Sequence, residues 1–301
     1  MKIKYILKYM EYLLKHVKYY FVSNKKYREK RYLIDFQCPP NYKSPESFNE
    51  KIMWRMLAGK NKLFIQMADK VKARDRVREL VGEKYLVNVL HRYKNVSDIN
   101  FNVLPEKFVL KCNHDCGSVV ICKRNEGLDI NFIRSKLRFF MNRNQYYDSR
   151  EWQYRDIIPE IICEEYVELS DAGIPEYRAE MYRIHCFKGK AVWLEVEYTD
   201  AIGERYSCIY DTSWTLLPVI MRYPNTDIPI PAPIKLPELL DVAGKLTLDI
   251  DYCRVDFYVT FEKILFSEFT FSPANGREIF TPRSWDYIFG LPWDINHHNE
   301  K

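Results

Sequence analysis

The sequence predicts an α+β chain, with helices gathered in its first hundred residues and strands in hairpin-like pairs after them. Two observations carry that reading. Apolar residues recur at helical spacing up to about Val81, and from Lys107 the runs become short, strand-like and turn-bounded. Hydrophobic residues make up 47% of the 301, enough for one large domain or two joined lobes.

In order, residues 2–22 read as a basic amphipathic helix. Ile3, Ile6, Leu7, Met10, Leu13, Leu14 and Val17 follow helical spacing, with Lys4, Lys8, Lys15 and Lys18 between them. Such a helix can lie on an anionic membrane surface, or its apolar stripe can dock on the domain or on another chain. Cys38-Pro39-Pro40-Asn41 breaks the pattern. Ser47 to Gly59 reads as a capped helix, and a further helix runs from Asn61 to Val81, stopping at Gly82. Phe108 to Lys111 and Val119 to Lys123 are short strands around a turn at His114 to Ser118. A helix from Asn131 to Asn142 follows, then a strand within Ile157 to Val167. Arg178 to Phe187 and Ala191 to Val196 flank the turn Lys188-Gly189-Lys190. Pro233 to Leu248 is helical, and Cys253 to Val259 pairs with Ile264 to Phe271 across Thr260 to Lys263. The expected division is a basic N-terminal helix over 1–35, a helical region over 36–100, and two lobes over 101–170 and 171–295.

Composition excludes several classes. With only 10 glycines, and neither a G-x-x-x-x-G-K-[ST] nor a G-x-G-x-x-G run, a nucleotide site built on dense glycine is not expected. The net charge of +5 is concentrated in residues 1–31, which bears on a surface helix rather than on nucleic acid. No run of about eighteen apolar residues occurs, and no secretory leader pattern opens the chain, so a cytoplasmic protein is expected, with the inner face of the membrane open to its first helix. The eight cysteines form no C-x-x-C pair; Cys112, Cys116 and Cys122 around His114 match no common zinc spacing, and reduced thiols are the plainer reading.

The chemistry concentrates in two places. Arg254, Asp256 and Tyr258 share one face of a strand, while Glu268 and Thr270 share a face of the next. Antiparallel pairing would bring Asp256 and Glu268 together among apolar neighbours. Two such carboxylates repel unless a cation compensates them, and Mg²⁺ with ATP phosphates is one compensator. A structural ion pair with Arg254 is the other. Lys111 and Lys123 each end an apolar run and call for an anionic partner, with Gly117 and Ser118 between them; an ordinary hairpin with lysines at its rim reads equally well. Glu164-Glu165-Tyr166-Val167 ends a strand as a hinge would, or as an edge strand entering a loop.

Taken in order, nine modest segments resemble the ATP-grasp superfamily, and its branch related to the teichuronopeptide-synthesis protein TupA in particular. They are Phe48-Asn49-Glu50-Lys51-Ile52; Asp69-Lys70; Phe108 to Lys111 with His114-Asp115-Cys116-Gly117; Glu151-Trp152-Gln153-Tyr154 with Ile158-Pro159; Glu164-Glu165-Tyr166; Cys186 to Lys190; Asp211 to Trp214; Arg254 to Tyr258; and Glu268 to Pro273. The resemblance implies two α+β lobes with ATP between them, preceded by the helical region. It implies that Lys111 meets the α/β phosphates, with Lys70 and Lys123 as further ATP contacts, and that the loop carrying His114, Gly117 and Ser118 closes over the phosphates. Glu164, Glu165, Tyr166 and Val167 would be the adenine and ribose hinge. Asp256, Glu268 and Thr270 would hold Mg²⁺, Thr270 standing where relatives commonly have Asn, and Arg254 would steady phosphoryl transfer. Cys116 replaces the more usual Ser or Gly, and Arg205 stands in for a basic residue expected near Tyr198-Thr199-Asp200. The implied activity is carboxylate–amine ligation through an acyl phosphate, with an amino acid, amino sugar or other amine joined to a uronic-acid carboxylate of a surface polysaccharide or its precursor, or to a glutamate side chain or terminus. Against it stand a glycosyltransferase, for which Asp249-Ile250-Asp251 has the right shape, and a kinase-like phosphotransferase or a non-catalytic module using the same ATP site.

Overall fold

The computed structural model describes residues 3–58, 61–170 and 172–295. Its elements sort into two compact units. The first comprises Met1–Arg28, Gly59–Asp75 and Val87–Val167, the second Glu29–Ala58, Arg76–Leu86 and Glu168–Lys301.

The basic segment forms two helices where one was expected over residues 1–35: α1 (Ile3–Tyr19) and α2 (Asn24–Phe36). Ser23 separates them, because its hydroxyl accepts the Lys26 N–H and starts a new helix. α3 (Phe48–Arg55) has a complete capping box between Ser47 and Glu50. The helix expected over 61–81 is broken into α4 (Lys62–Ala68) and α5 (Ala73–Leu80). Asp69 takes extended backbone there, and its carboxylate accepts the Val71 N–H instead of letting the helix run on.

In the first unit, β1 (Val89–Tyr93), β2 (Lys107–Cys112), β3 (Val120–Lys123) and β4 (Ile161–Glu165) form an antiparallel sheet in the order β1-β4-β2-β3. α6 (Ile130–Met141) packs on it through Ile133, Leu137 and Phe140, which meet Phe108, Leu110 and Cys163 in one core; α7 (Gln145–Ser149) follows.

The second unit is built on β5 (Tyr177–Phe187), β6 (Lys190–Asp200), β7 (Arg205–Asp211), β8 (Cys253–Val259) and β9 (Ile264–Thr270), in the order β7-β6-β5-β8-β9. All neighbours are antiparallel. α8 (Leu236–Leu246) packs on β5 and β6, while α3 and α9 (Ser284–Gly290) pack together. The β5–β6 hairpin turns on Lys188 and Gly189, both at positive φ. Gly189 has a second reason to be glycine: a Cβ there would lie 2.9 Å from the Leu248 Cα. A core of Phe48, Trp193, Tyr252, Phe289 and Trp293 fills one end of the sheet.

Candidate active site

In the first unit the candidate residues group around Lys111. It stands diagonally across the β2–β4 pair from Glu164, since Val109 faces Glu164 and Lys111 faces Ile162. The Lys111 ammonium lies 2.6 Å from the Glu164 carboxylate, and both side chains are buried. Arg74, which sequence reasoning did not single out, approaches the other Glu164 oxygen at 3.5 Å and donates to the Val87 carbonyl at 2.6 Å. Glu164 is thus a buried anion between two cations. Beyond it the chain emerges: Asn88 donates to the exposed Glu165 carboxylate at 2.9 Å, and Tyr166 and Val167 are half-buried. Lys107 and Lys123 sit opposite each other in the β2–β3 pair, and both ammonium groups lie within 6 Å of the Tyr166 ring centre. Two lysines and an aromatic face therefore gather where β4 ends, with Lys123 also 2.8 Å from Glu126.

The loop between β2 and β3 is held from within. The Ser118 hydroxyl accepts the Cys112 N–H at 2.7 Å and donates to Asp115 at 2.7 Å. The Asn113 amide donates to Asp69 and to the Ile158 carbonyl, and its oxygen accepts the Glu160 N–H. His114 is buried, with Nε2 3.2 Å from the Phe140 carbonyl oxygen and 3.1 Å from that of Arg143, and burial depresses its pKa. Lys70 donates to the Asp115 carbonyl at 2.6 Å. The side chains of His114 and Ser118 are thus engaged in shaping the loop, whereas Cys116 and Gly117 are exposed, Gly117 at φ +115°. What such a tip can offer an anion is backbone N–H. Among the described residues, no group of three or more His, Cys, Asp or Glu is placed to hold a metal, and Cys112 and Cys122 lie in the sheet core.

In the second unit a charged row crosses the sheet. Glu195 on β6 faces Arg183 on β5, Arg183 faces Asp256 on β8, and Asp256 faces Glu268 on β9. One step along, Arg254 faces Thr270. Arg254 grips Asp256 through two bonds of 2.7 Å and donates to the Thr270 hydroxyl at 3.2 Å. Arg183 lies 2.9 Å from Glu195 and from Glu197, and 3.6 Å from Asp256. Burial raises the Asp256 pKa, Arg254 and Arg183 pull it back, and Glu268 across the strand pushes it up again. The arrangement therefore contains both features the sequence left open, the Arg254 ion pair and the juxtaposed carboxylates. Asp256, Glu268 and Thr270 are oxygen-bearing side chains, two of them carboxylates, of the kind that could hold Mg²⁺ completed by phosphate and water, with Arg254 already donating to Asp256 and Thr270.

Other candidates fall away from this row. Asp251 lies 3.0 Å from Arg55 and accepts the Trp293 indole N–H, while Asp249 pairs with Arg76. The Asp249-Ile250-Asp251 triplet is therefore occupied in closing the turn before β8. Arg205 has its guanidinium near the Tyr223 ring and donates to its hydroxyl at 3.4 Å.

The TupA-like ATPgrasp family model matches residues 50–292, from the α3 capping box through β9 and α9. The chain belongs to the TupA-like ATPgrasp family. No match was found among curated proteins. Among solved structures it is similar to the ATP complex of a D-alanine–D-alanine ligase from Bacillus anthracis, at 18% identity and TM-score 0.44 over 76% of this chain and 65% of that one. It is similar to the ATP-grasp ligase PsnB in complex with a precursor variant, Mg and ADP, at 10% identity and TM-score 0.41, over 74% and 58%. It is also similar to the macrocyclase MdnC of Microcystis aeruginosa MRC bound to the precursor peptide MdnA, at 11% identity and TM-score 0.38, over 89% and 68%. The chain spans less than two thirds of the length of the first two. The assignment rests on the family match and not on these likenesses.

Sequence reading missed several members of this ATP-grasp chain's charged clusters. Arg183, Glu195 and Glu197 were readable in principle, because charges at alternate positions of apolar strands mark one face. Arg74 and Lys107 carried no such signal, since their partners are distant in sequence. The segment Phe48-Asn49-Glu50-Lys51-Ile52 proves to be a fastening. Asn49 donates to the Glu278 carbonyl at 2.9 Å and accepts the Glu278 N–H at 2.8 Å, while Lys51 donates to the carbonyls of Gly290 and Trp293. It ties the chain that follows β9 to α3.

Proposed function

We propose that this chain is an ATP-dependent carboxylate–amine ligase. A substrate carboxylate oxygen attacks the γ-phosphorus of ATP, giving an acyl phosphate and ADP. The amine nitrogen then attacks the acyl carbon, expelling inorganic phosphate and losing a proton to form the amide. The observation that carries the reading is the row Arg183–Asp256–Glu268 with Arg254 and Thr270, in a chain of this family.

Asp256 and Glu268, with Thr270, would hold Mg²⁺, which neutralises phosphate charge when bound. Arg254 stays charged, because the Asp256 and Glu195 carboxylates beside it outweigh the cost of its burial. It is held rigid by Asp256 and Thr270, so it would meet developing phosphoryl charge without reorganising. In the first unit, Lys111 would exchange part of its contact with Glu164 for phosphate. Lys70 would keep the Cys116–Gly117 tip in place, and Lys123 with Glu165, Tyr166 and Val167 would receive the nucleoside.

The acceptor we propose is a hexuronic-acid carboxylate of a surface polysaccharide or its precursor, and the amine an amino acid or amino sugar. This follows from the resemblance to the teichuronopeptide branch. ATP supply places the reaction in the cytoplasm. The test is hydroxylamine trapping: with ATP, Mg²⁺ and uronic-acid oligosaccharides, the protein should release ADP and yield a hydroxamate. ADP release without hydroxamate, but with a stable phosphorylated product, would instead identify a kinase.

A further inference from the structure

The α1 helix has two distinct apolar faces. One is aromatic and docked. Tyr5 packs against Phe139 and Phe132 of α6, with ring centres 5.6 and 6.1 Å apart. Tyr12 accepts the Asn144 N–H at 3.1 Å, His16 stacks on Tyr147 at 3.8 Å, and Tyr19 meets Tyr146 and the Arg150 guanidinium. Lys15 adds a 3.1 Å ion pair to Asp148. With Tyr9, half-buried against the same core, Tyr5, Tyr12, His16 and Tyr19 recur every three or four positions and form one docked stripe.

The other face is aliphatic and bare. Leu7, Met10, Leu14 and Val17 are 57–72% exposed, flanked by Ile6 and Leu13 at 43–44%. Tyr20 and Phe21 extend the stripe past the helix end at 71% and 82%. Exposing this many large apolar groups on one helix face is costly in water, and single exposed leucines would need no explanation. Along its edge stand Lys4, Lys8 and Lys18, all exposed and, among the described residues, in no ion pair. Lys136 of α6 lies near enough to Lys4 and Lys8 to feel their charge. The only acid on the helix, Glu11, is paired with Lys15.

We propose that α1 seats the first unit on an anionic bilayer, lying in the plane of the headgroups with its aliphatic face in the acyl region and its lysines on lipid phosphates. A 17-residue helix is about 25 Å long. No described helix is long and apolar enough to cross a membrane, so in-plane seating is the geometry left to this one. The charge pattern selects a lipid surface over a second copy, because self-association would bring the same lysine edges together. The tyrosine face is what makes the anchor directional: the helix is already fastened, so the bilayer meets a fixed surface of the unit. The inference stands independently of what the chain ligates.

The experiment is co-sedimentation of the full chain with vesicles of phosphatidylcholine alone and of phosphatidylcholine with 30% phosphatidylglycerol. Wild type should partition to the anionic vesicles roughly 100-fold better than to the neutral ones at low salt, at about fivefold per lysine. Leu7→Glu with Leu14→Glu, both at exposed positions, should lower partitioning by at least tenfold per site while leaving the circular dichroism spectrum unchanged. Lys4→Gln, Lys8→Gln and Lys18→Gln together should remove the preference for anionic lipid. The proposal is overturned if wild type stays in solution with anionic vesicles, or if the Leu7/Leu14 variant sediments as wild type does. A wild-type dimer that the same variant converts to monomer, without vesicle binding, would assign the face to a second copy.

Discussion

Replacing Asn49 by alanine should loosen the segment that follows the β9 strand. Asn49 is fully buried, and its amide satisfies both backbone groups of Glu278, at 2.9 and 2.8 Å. Alanine leaves a carbonyl and an N–H without partners in a site where water has no ready access. Each stranded group costs about 1–3 kcal/mol, so the loss should be about 3 kcal/mol. The backbone N–H of residue 49, which donates to Asp286 at 2.9 Å, is unaffected by the change. Asn49→Asp is the informative partner, since it can still accept from Glu278 N–H but cannot donate to the carbonyl, and it adds a buried charge near Asp286. It should be no more stable than the alanine variant. Urea unfolding followed by tryptophan fluorescence reads the correct unit, because five of the six tryptophans, Trp54, Trp193, Trp214, Trp285 and Trp293, lie in the second one. With a slope near 3 kcal/mol per molar, the midpoint should fall by about 1 M. A midpoint within about 0.2 M of wild type would refute the claim that this amide is a buried fastening.

Two further outcomes follow from burial. In the native protein a thiol reagent at pH 8 should label the exposed Cys116 rapidly, while Cys163 and Cys186, each pushed up to about 12 by burial, stay unlabelled until urea is added; mass mapping of the adducts decides it. His185 is fully buried against Trp193, and burial, with Arg254 and Arg183 nearby, holds its pKa well below 6.5. Its neutral form belongs to the folded state, so stability should be constant from this source above about pH 6.5 and fall as pH drops below it, where the unfolded chain takes up a proton the fold refuses. Unfolding midpoints between pH 7 and 5.5 should decline less in His185→Phe than in wild type.

The Asp256–Glu268 end of the charged row was legible because it depends on strand periodicity alone: once Cys253–Val259 and Ile264–Thr270 are read as an antiparallel pair, Asp256 and Glu268 come into register, whereas Arg183 and Glu195 enter only with the β5 and β6 pairing. The flanking β1 and β7 strands escaped, since His91 and Arg92 in one, and the polar ends Arg205 and Asp211 of the other, interrupt the apolar run. The helix break at Asp69 also escaped. Its carboxylate caps the next turn and accepts from Asn113, a partner 44 residues away that no local pattern announces. The same holds for the loop from Asn113 to Ser118. The family resemblance implies a loop over the phosphates; what no local pattern announces is how the loop is held, since the side chains of Asn113, His114 and Ser118 find their hydrogen bonds inside the fold, through carbonyls at Ile158, Phe140 and Arg143 and the Asp115 carboxylate. Lys111 was identified as needing an anion, and it has one in Glu164; that this anion sits on the neighbouring β4 strand follows from sheet order, which sequence alone left open.

The most direct test of the account is calorimetric titration of ATP, with and without Mg²⁺, into wild type, Asp256→Asn and Glu268→Gln, each confirmed as folded by circular dichroism. The account predicts that wild type binds ATP with Mg²⁺ and that either substitution weakens this binding at least tenfold. Equal binding by all three proteins, or no binding of ATP by wild type, would contradict it.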